Sequence, residues 1–229
     1  MSTLSNVKTQ EEEALSPSEK LKLLSIPSAK SSRTGVSVDY VHDLHKMWFV
    51  FRASYGREDR AFDIIVEDGT YAYIPKRYVD KIIGEKRKRF LESLIPNMLF
   101  VYTSESKAQE YMENSQLSFL SYYYNHFRHN EMQKNPPLII PNQEMENFIL
   151  ATKSQSEHLL FVPPSRCHYK SGDLVVITEG IFKGVEGRVA RVAGQQRVIV
   201  SISQLGLIST AYIPSAFIEP IKNQKDRTI

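Results

Sequence analysis

The sequence has 229 residues and a net charge of +3, and 41% of the residues are hydrophobic, 10% aromatic and 24% charged. This composition is close to that of an average globular protein, so it excludes collagen-like and wholly disordered chains. No apolar run approaches the ~20 residues that a transmembrane helix requires. Cys167 is the only cysteine, which excludes an intrachain disulfide and the zinc sites that need two or four cysteines.

Residues 1–45 are predicted to form a disordered N-terminal tail. They mix Ser, Glu, Lys and Thr with isolated aliphatic residues, so they bury too little apolar surface to offset the entropy cost of ordering. We expect one transient amphipathic helix, over 11–24. The tail lacks the apolar stretch of a secretory signal, and its three consecutive glutamates argue against a mitochondrial transit peptide. We therefore expect a cytoplasmic protein.

Residues 46–151 predict an α+β domain in which helices pack on a sheet. Runs of aromatic and β-branched residues predict the strands, and apolar residues at helical spacing predict the helices. The segments rich in strand formers are 47–52, 71–74, 98–102 and 117–127. The predicted helices are 57–66, 106–115 and one that begins after Pro141. The resulting order of elements is β-α-β-β-α-β-α.

Residues 152–165 are predicted to be an interdomain linker, and residues 166–229 a small second domain. The linker contains polar residues and the pair Pro163-Pro164. The second domain has nine basic and five acidic side chains and no helical periodicity. Four short strands separated by turn residues are typical of a small β-barrel. These strands are predicted at 174–177, 187–192, 198–202 and 210–213.

A spaced set of glycines lies between the first two strands of this second domain. Gly180, Gly184 and Gly187 are separated by four and then three residues, with Phe182 between the first two. Because glycine adopts positive φ at no steric cost, the spacing predicts a tight turn around a buried Phe182, followed by a β-bulge. The pattern lacks the lysine and hydroxyl residue of a phosphate-binding loop, so nucleotide binding is not expected.

Two parts of the chain resemble known sequence signatures. The run from Gly172 to Val189 resembles the KOW motif, which also occurs in ribosomal proteins. The segments Trp48-Phe49-Val50, Gly56–Ala61, Tyr73-Ile74-Pro75 and Leu94–Val101 resemble the successive signatures of the NusG N-terminal domain. In this order, over about 46–220, they are similar to the NusG family. The Leu94–Val101 and Ile177–Gly180 segments and the extended N-terminus resemble the RfaH-like and capsular-polysaccharide (UpxY-type) antiterminators.

The resemblance implies a NusG N-terminal-type α/β sandwich followed by a small SH3-like KOW β-barrel. It also implies a factor that is not an enzyme. The N-terminal domain of such proteins binds the clamp helices of the RNA polymerase β′ subunit, extends toward the β subunit and disfavours the paused conformation. We therefore expect an operon-specific elongation and antitermination factor for polysaccharide biosynthesis operons. It would act as a monomer, with no cofactor and no membrane contact.

Carried over residue by residue, the resemblance assigns an apolar surface to RNA polymerase binding. Its members are Trp48, Ile95, Pro96, Met98 and Phe100. The family usually has aromatic residues at the positions of Ile95 and Met98, so the contact chemistry is altered here. For Trp48 and Phe100, packing in the protein core is the competing interpretation, because apolar strand residues are most often buried.

Clustered cations are the candidates for contacts to a nucleic-acid backbone. Lys76 to Arg89 contains seven basic residues against Asp80 and Glu85. Phosphate binding by clustered cations is favoured by counterion release, whereas the competing interpretation is a solvated hairpin tip. The candidates are Arg57, Arg60, Lys86, Arg87, Lys88 and Arg89. RfaH-like proteins read DNA with polar residues of the first helix, where this chain has Ile64, Glu67 and Asp68.

Other candidate chemistries are less well supported by the sequence. Tyr122-Tyr123-Tyr124, with His126, Phe127 and Arg128, could stack on bases, but core packing in a strand explains them as well. The pairs His42 with His45 and Cys167 with His168 lack a third ligand at suitable spacing, so no metal site is expected. Neither a G-x-S-x-G motif nor a papain-like cysteine context occurs, so an enzyme is the weakest class.

The sequence is also compatible with two other functions. One is a general NusG-type elongation factor that couples to the ribosome, through ribosomal protein S10, or to Rho. The other is a KOW-containing RNA-binding module of the ribosomal type, which leaves 46–151 unexplained. Recruitment through non-template DNA, nascent leader RNA or protein is equally open. Valines concentrated in the last domain favour strands, so we expect a stable β-barrel and not a helical form.

Overall fold

The structure, a computed structural model, describes residues 41–125, 135–163, 172–192 and 194–221. Most of the predicted tail, residues 1–40, lies outside this range, as do His126, Phe127, Arg128, Cys167 and His168. Within the described residues, no helix is both long enough and apolar enough to cross a membrane. The predicted α+β class is confirmed, since the described residues contain three α-helices and antiparallel sheets.

The N-terminal part contains a five-stranded antiparallel sheet in the order β2-β5-β1-β6, with β7 also paired to β1. Its strands are β1 (Met47–Ala53), β2 (Tyr71–Tyr73), β5 (Met98–Thr103), β6 (Leu120–Tyr122) and β7 (Ile139–Ile140). Its helices are α1 (Glu58–Glu67), α2 (Glu105–Glu113) and α3 (Asn142–Thr152). The Ser104 side chain accepts a hydrogen bond from the Lys107 amide and so caps the start of α2.

Helices cover both faces of this sheet. Phe49 and Phe51 of β1 belong to a core with Phe62 of α1 and Tyr111 of α2. Trp48 and Val50 project to the opposite face and belong to a second core with Phe148 of α3. Successive strand residues alternate between faces, so burial on both sides requires the continuous apolar run seen at Met47–Phe51. The strand predicted at 47–52 is therefore confirmed, and it is buried on both faces.

A separate two-stranded hairpin lies between β2 and β5 in sequence. It consists of β3 (Lys76–Ile83) and β4 (Lys86–Ser93), paired in register along eight residues of each strand. Its base is attached to α1, because the buried Lys76 Nζ lies 2.6 Å from Asp59 Oδ1 and the Ser93 hydroxyl donates to Glu58. The Tyr78 amide also donates to the Gln155 carbonyl. The hairpin is therefore held at its base on two sides.

The C-terminal part contains a six-stranded antiparallel sheet in the order β13-β9-β10-β11-β12-β8. The four predicted strands are present as β9 (Leu174–Ile177), β10 (Glu186–Val192), β11 (Gln195–Ile202) and β12 (Gly206–Tyr212). The edges are β8 (Leu160–Val162) and β13 (Ile218–Pro220). Within the described residues β8 and β13 do not pair with each other, so a closed SH3-like barrel stays a prediction.

Three local features differ from the sequence expectations. The predicted linker 152–165 contains the last residue of α3 and all of β8, whose main chain pairs with β12. In the described part of the predicted segment 117–127, a strand forms only at Leu120–Tyr122, after a turn of 3-10 helix at Ser115–Leu117. No bulge follows Phe182: the pairing of β10 with β9 runs through Gly187, and the irregularity lies between Arg197 and Ile199 of β11.

Helix α3 lies between the two sheets. Its buried Met145 and Phe148 belong to a core that includes Trp48 and Phe100 on one side and Val198 of the C-terminal sheet on the other. One continuous apolar core therefore joins the two parts of the molecule through this helix.

Candidate functional site

The residues predicted to bind polymerase lie on β1, on β5 and in the turn before β5. Trp48 and Phe100 are fully buried, and Ile95 is nearly so. The Trp48 ring packs edge-on against Tyr71 and at a tilt against Tyr102, with ring centroids 5.4 and 5.3 Å apart. Trp48 and Phe100 therefore lie in the protein core, as the competing interpretation predicts. Ile95 is buried with them.

Pro96 and Met98 are the accessible members of the predicted set. Pro96 is exposed, and Met98 is half-buried against the core that contains Trp48. The turn between them is fixed by Asn97, which has a φ of 63°. The Asn97 carbonyl accepts from the Ala53 amide at 2.9 Å, and its Oδ1 accepts from the Gly56 amide at 2.8 Å. The backbone thus presents Pro96 and Met98 at the end of β1 in one defined conformation.

Helix α3 covers the sheet face that carries Trp48 and Phe100. The Phe148 ring lies 5.3 Å from Phe100 and 6.2 Å from Tyr73, centroid to centroid. The Tyr73 and Thr152 hydroxyls are 2.5 Å apart, and burial raises the pKa of Tyr73 above its ordinary value. The buried phenol therefore stays neutral with its hydrogen-bonding capacity used, as packing in an apolar interior requires.

Polar contacts fix the other side of α3 to the C-terminal sheet. The Asn147 side-chain amide donates to the Glu186 carbonyl at 2.6 Å, and its oxygen accepts from the Glu186 amide at 2.8 Å. The Glu144 carboxylate accepts from the Ser203 amide at 2.9 Å and from its hydroxyl at 2.8 Å. These bonds satisfy backbone groups that a free sheet would leave to water, and they set the position of the sheet along the helix.

Arg57 and Arg60 lie beside aromatic rings at the start of α1. The Arg57 guanidinium is 4.2 Å from the Phe119 ring centroid and 5.5 Å from that of Tyr55, and Arg60 is 5.6 Å from Phe119. Tyr55 is 91% exposed and has a φ of 62°. A non-glycine residue at positive φ is strained, and such strain clusters at functional positions. Sequence reasoning missed Tyr55, although its place in a Tyr-Gly turn after a strand was visible.

The basic run Lys86–Arg89 forms the first half of β4, and all four of its side chains are exposed. Arg87 lies 2.5 Å from Asp80, and Arg89 lies 3.8 Å from Glu157 and over the Tyr78 ring at 4.4 Å. The predicted cations thus fall into two groups: Lys86–Arg89 on the hairpin, and Arg57 with Arg60 at the start of α1.

The KOW-like residues form a turn that packs against α3. Gly180 and Gly184 have φ values of 82° and 87°, and Phe182 between them is buried. A Cβ on Gly187 would lie 2.5 Å from the Ile199 carbonyl oxygen, so only glycine fits at that point of β10. The predicted tight turn around Phe182 is present. Its glycines have a structural role in backbone geometry and close packing.

The remaining candidates are placed as follows. Tyr122 packs against Phe49 and Phe51 on the sheet, whereas Tyr124 is exposed. The His42 ring lies 3.3 Å from a Glu146 carboxylate oxygen. Among the residues that the structure describes, no group of three or more His, Cys, Asp or Glu side chains could hold a metal ion.

Comparison with known proteins bears on the N-terminal part. Residues 46–149 match the family model described as transcription termination factor nusG. The match supports a NusG-like family. The matched range includes the five-stranded sheet, the hairpin and most of α3, and it ends before the KOW-like turn. A search of the curated proteins found no match. A NusG-like family suggests a transcription elongation or antitermination factor that binds RNA polymerase.

Proposed function

We propose that this protein is an operon-specific antitermination factor of the UpxY type, which acts in the cytoplasm on transcribing RNA polymerase and catalyses no reaction. The observation that carries the proposal is the nusG family match over 46–149. The KOW-like turn around Phe182, in its place after that range, supports a two-domain factor of this kind. Control of polysaccharide operons rests on the sequence resemblance.

The proposed mechanism needs only preferential binding to one conformation of the polymerase. A ligand shifts a conformational equilibrium by no more than its difference in affinity for the two states. Shifting the ratio of elongating to paused polymerase from 1:99 to 99:1 requires a difference in binding free energy of about 5.5 kcal/mol between the two states. A partial shift requires a smaller difference. In the proposed mechanism, an apolar contact on the β′ clamp helices, extended toward the β subunit, supplies this difference in affinity.

Within this proposal, Pro96 and Met98 make the direct polymerase contact. Both are accessible at one end of the sheet, and the Asn97 hydrogen bonds hold them in place. Trp48, Ile95 and Phe100 support that surface from the core beneath it. A direct contact by Trp48 or Phe100 would require α3 to leave the sheet, because Phe148 packs on Phe100.

Co-purification of the tagged protein with RNA polymerase tests the proposal. Met98→Asp places a charge on the proposed contact surface. Met112→Asp is the matched control, since Met112 is also a half-buried methionine but lies on α2, against the opposite sheet face. We expect wild type and Met112→Asp to retain polymerase and Met98→Asp to lose it, with unchanged circular dichroism.

The opposite results identify the competing functions. If wild type retains RNA and no polymerase, the ribosomal-type RNA-binding function replaces the proposal. If it retains polymerase but promotes read-through equally on every leader tested, the protein is a general elongation factor. In that case binding to ribosomal protein S10 or Rho is the next measurement.

A further inference from the structure

The hairpin formed by β3 and β4 has two chemically different faces. Residues directly opposite each other in the ladder share a face, and successive residues alternate between faces. The pairs Asp80 with Arg89 and Ile82 with Arg87 therefore define one face, which we call the arginine face. The pairs Lys81 with Lys88 and Ile83 with Lys86 define the other, the lysine face. The run Lys86–Arg89 is thus divided between two surfaces.

The cations of the arginine face are already paired within the protein. Arg87 forms an ion pair with Asp80. Arg89 stacks on Tyr78 and lies 3.8 Å from Glu157 of the segment after α3. The Arg89–Glu157 contact links the hairpin to that segment, whereas the Arg87–Asp80 pair lies within the hairpin. Their role is therefore structural.

Two lysines of the lysine face carry charges that are not paired within the described part of the protein. Lys81 pairs with Glu92, but Lys86 and Lys88 have neither an ion-pair nor a hydrogen-bond partner among the described residues. Both are exposed, and the one acid at the tip is Glu85 in the turn. Two residues apart on one strand, Lys86 and Lys88 are about 6.8 Å apart along the hairpin, the axial length of about two nucleotide steps.

The shape of the hairpin suits a nucleic-acid groove. Eight residues per strand give a ribbon about 27 Å long, attached at its base to α1 and to Gln155. The major groove of duplex DNA, about 12 Å wide, admits a two-stranded β-ribbon. Because the hairpin is anchored at its attached end, it loses less conformational entropy when it docks.

The composition of the lysine face favours a duplex over two other partners. Single strands are bound on exposed aromatic rings, and the outer half of this face has only Lys81, Ile83, Lys86 and Lys88. A membrane surface requires one continuous apolar patch. The exposed Ile82 and Ile83 instead project to opposite faces of the hairpin.

We infer that Lys86 and Lys88 contact the phosphates of duplex DNA, with the hairpin as a sequence-independent arm, while Arg87 and Arg89 maintain the hairpin's own structure. This inference refines the nucleic-acid contact within the proposed function and rests on it for the source of the DNA, the duplex next to the transcribing polymerase. Phosphate contacts of this type add affinity and orientation and do not identify an operon.

The test is fluorescence anisotropy of a labelled 30-base-pair duplex with the full chain over a salt series. The double variant Lys86→Gln/Lys88→Gln is compared with the neighbouring control Arg87→Gln. Each lost phosphate contact reduces the slope of log K against log salt by about 0.9, so we expect a reduction of about 1.8 for the double variant. Arg87→Gln should leave the slope unchanged, because that cation is paired with Asp80.

Three results would overturn the inference. They are no duplex binding by wild type at low salt, the same slope for wild type and the double variant, or the same loss from Arg87→Gln as from the double variant. Stronger binding to a single strand of equal length, or lysine-dependent sedimentation with anionic vesicles without a change in DNA binding, would assign the face to those ligands instead.

Polymerase co-purification of the double variant separates this inference from the proposed function. Retained polymerase with weakened DNA binding supports both. Loss of duplex binding in the double variant, when wild type itself retains no polymerase, supports the lysine contact and contradicts the elongation-factor proposal.

Discussion

The two sheets of this protein are stabilised in different ways. The N-terminal sheet is covered by α1 and α2 on one face and by α3 on the other, so large apolar side chains fill both of its cores. The described part of the C-terminal sheet has no α-helix of its own and packs against α3. Its strands also approach closely at glycines such as Gly187. The C-terminal sheet therefore depends on the N-terminal part more than the reverse.

The largest effect is expected for Trp48→Ala, which tests whether the shared core holds both sheets. Trp48 is fully buried at the centre of the N-terminal sheet, and removing such a side chain costs about 3–5 kcal/mol. Because its core continues through α3, both sheets should lose stability together in urea unfolding followed by circular dichroism. Tyr55→Ala, at a 91% exposed position, is the control and should change stability by less than about 0.5 kcal/mol.

Gly187→Ala should destabilise the C-terminal sheet and leave the stability of the N-terminal sheet nearly unchanged. The added Cβ would lie 2.5 Å from the Ile199 carbonyl oxygen and 2.6 Å from Val198 Cγ1, and such overpacking costs about 1–3 kcal/mol. The damage should be confined to the C-terminal sheet. Trp48 is the only tryptophan and reports on the N-terminal sheet, so its fluorescence transition should stay close to that of wild type.

For Gly187→Ala, the exposed Ser201→Ala in the same sheet is the control and should be neutral. An equal shift of the tryptophan transition in Gly187→Ala would show that the two sheets unfold as one unit.

Asn147→Ala tests the contact between α3 and the C-terminal sheet. It removes both hydrogen bonds to the Glu186 backbone, and a polar group left unpaired costs about 1–3 kcal/mol, less where water can reach it. We expect faster amide hydrogen exchange at Glu186 and its neighbours. The exposed Gln143→Ala on the same helix should leave exchange unchanged. Exchange that is unaffected by Asn147→Ala would mean that the apolar contacts alone fix the sheet.

The smallest effect concerns Asp68, at the end of α1. Hydrogen bonds from Lys107 and Tyr111 hold the pKa of this carboxyl below its ordinary value of 3.8. Since its pKa is lower in the folded state, the stabilisation is fully present above about pH 4 and is lost as the pH falls through the folded-state pKa. Asp68→Asn should therefore be slightly less stable than wild type at pH 7, and the difference in the free energy of unfolding should shrink as the pH falls below about 4. A difference that stays constant over this pH range would contradict this assignment.

Much of the fold follows from local patterns, and the exceptions have physical reasons. The aromatic run Met47–Phe51 predicts a doubly buried strand because burial on both faces leaves no polar alternation. Strand β3 is harder to predict, since its charged residues obscure the pattern of a hairpin that lies outside either core. Strand β8 has three residues, and its pairing with β12 is a long-range property that no local periodicity contains.

The candidate site was predictable in its residues but not in their exposure. Residue types identify Trp48 and Phe100 as strand residues, but only the packing of α3 decides that both are covered. Likewise the charge run Lys86–Arg89 is visible in the sequence, whereas the division into paired arginines and uncommitted lysines depends on the register of β3 with β4 and on Glu157. Tyr55 lacked a signal beyond the following glycine, because its positive φ is set by the turn.

The most direct test of the central claim is site-specific photo-crosslinking from the exposed turn before β5. A photoreactive phenylalanine analogue placed at Pro96 is compared with one at Glu113, at the end of α2, in the presence of transcribing RNA polymerase. We expect a crosslink from position 96 to the β′ subunit and none from position 113. Equal crosslinking from both positions, or none from position 96 with the protein folded, would contradict it.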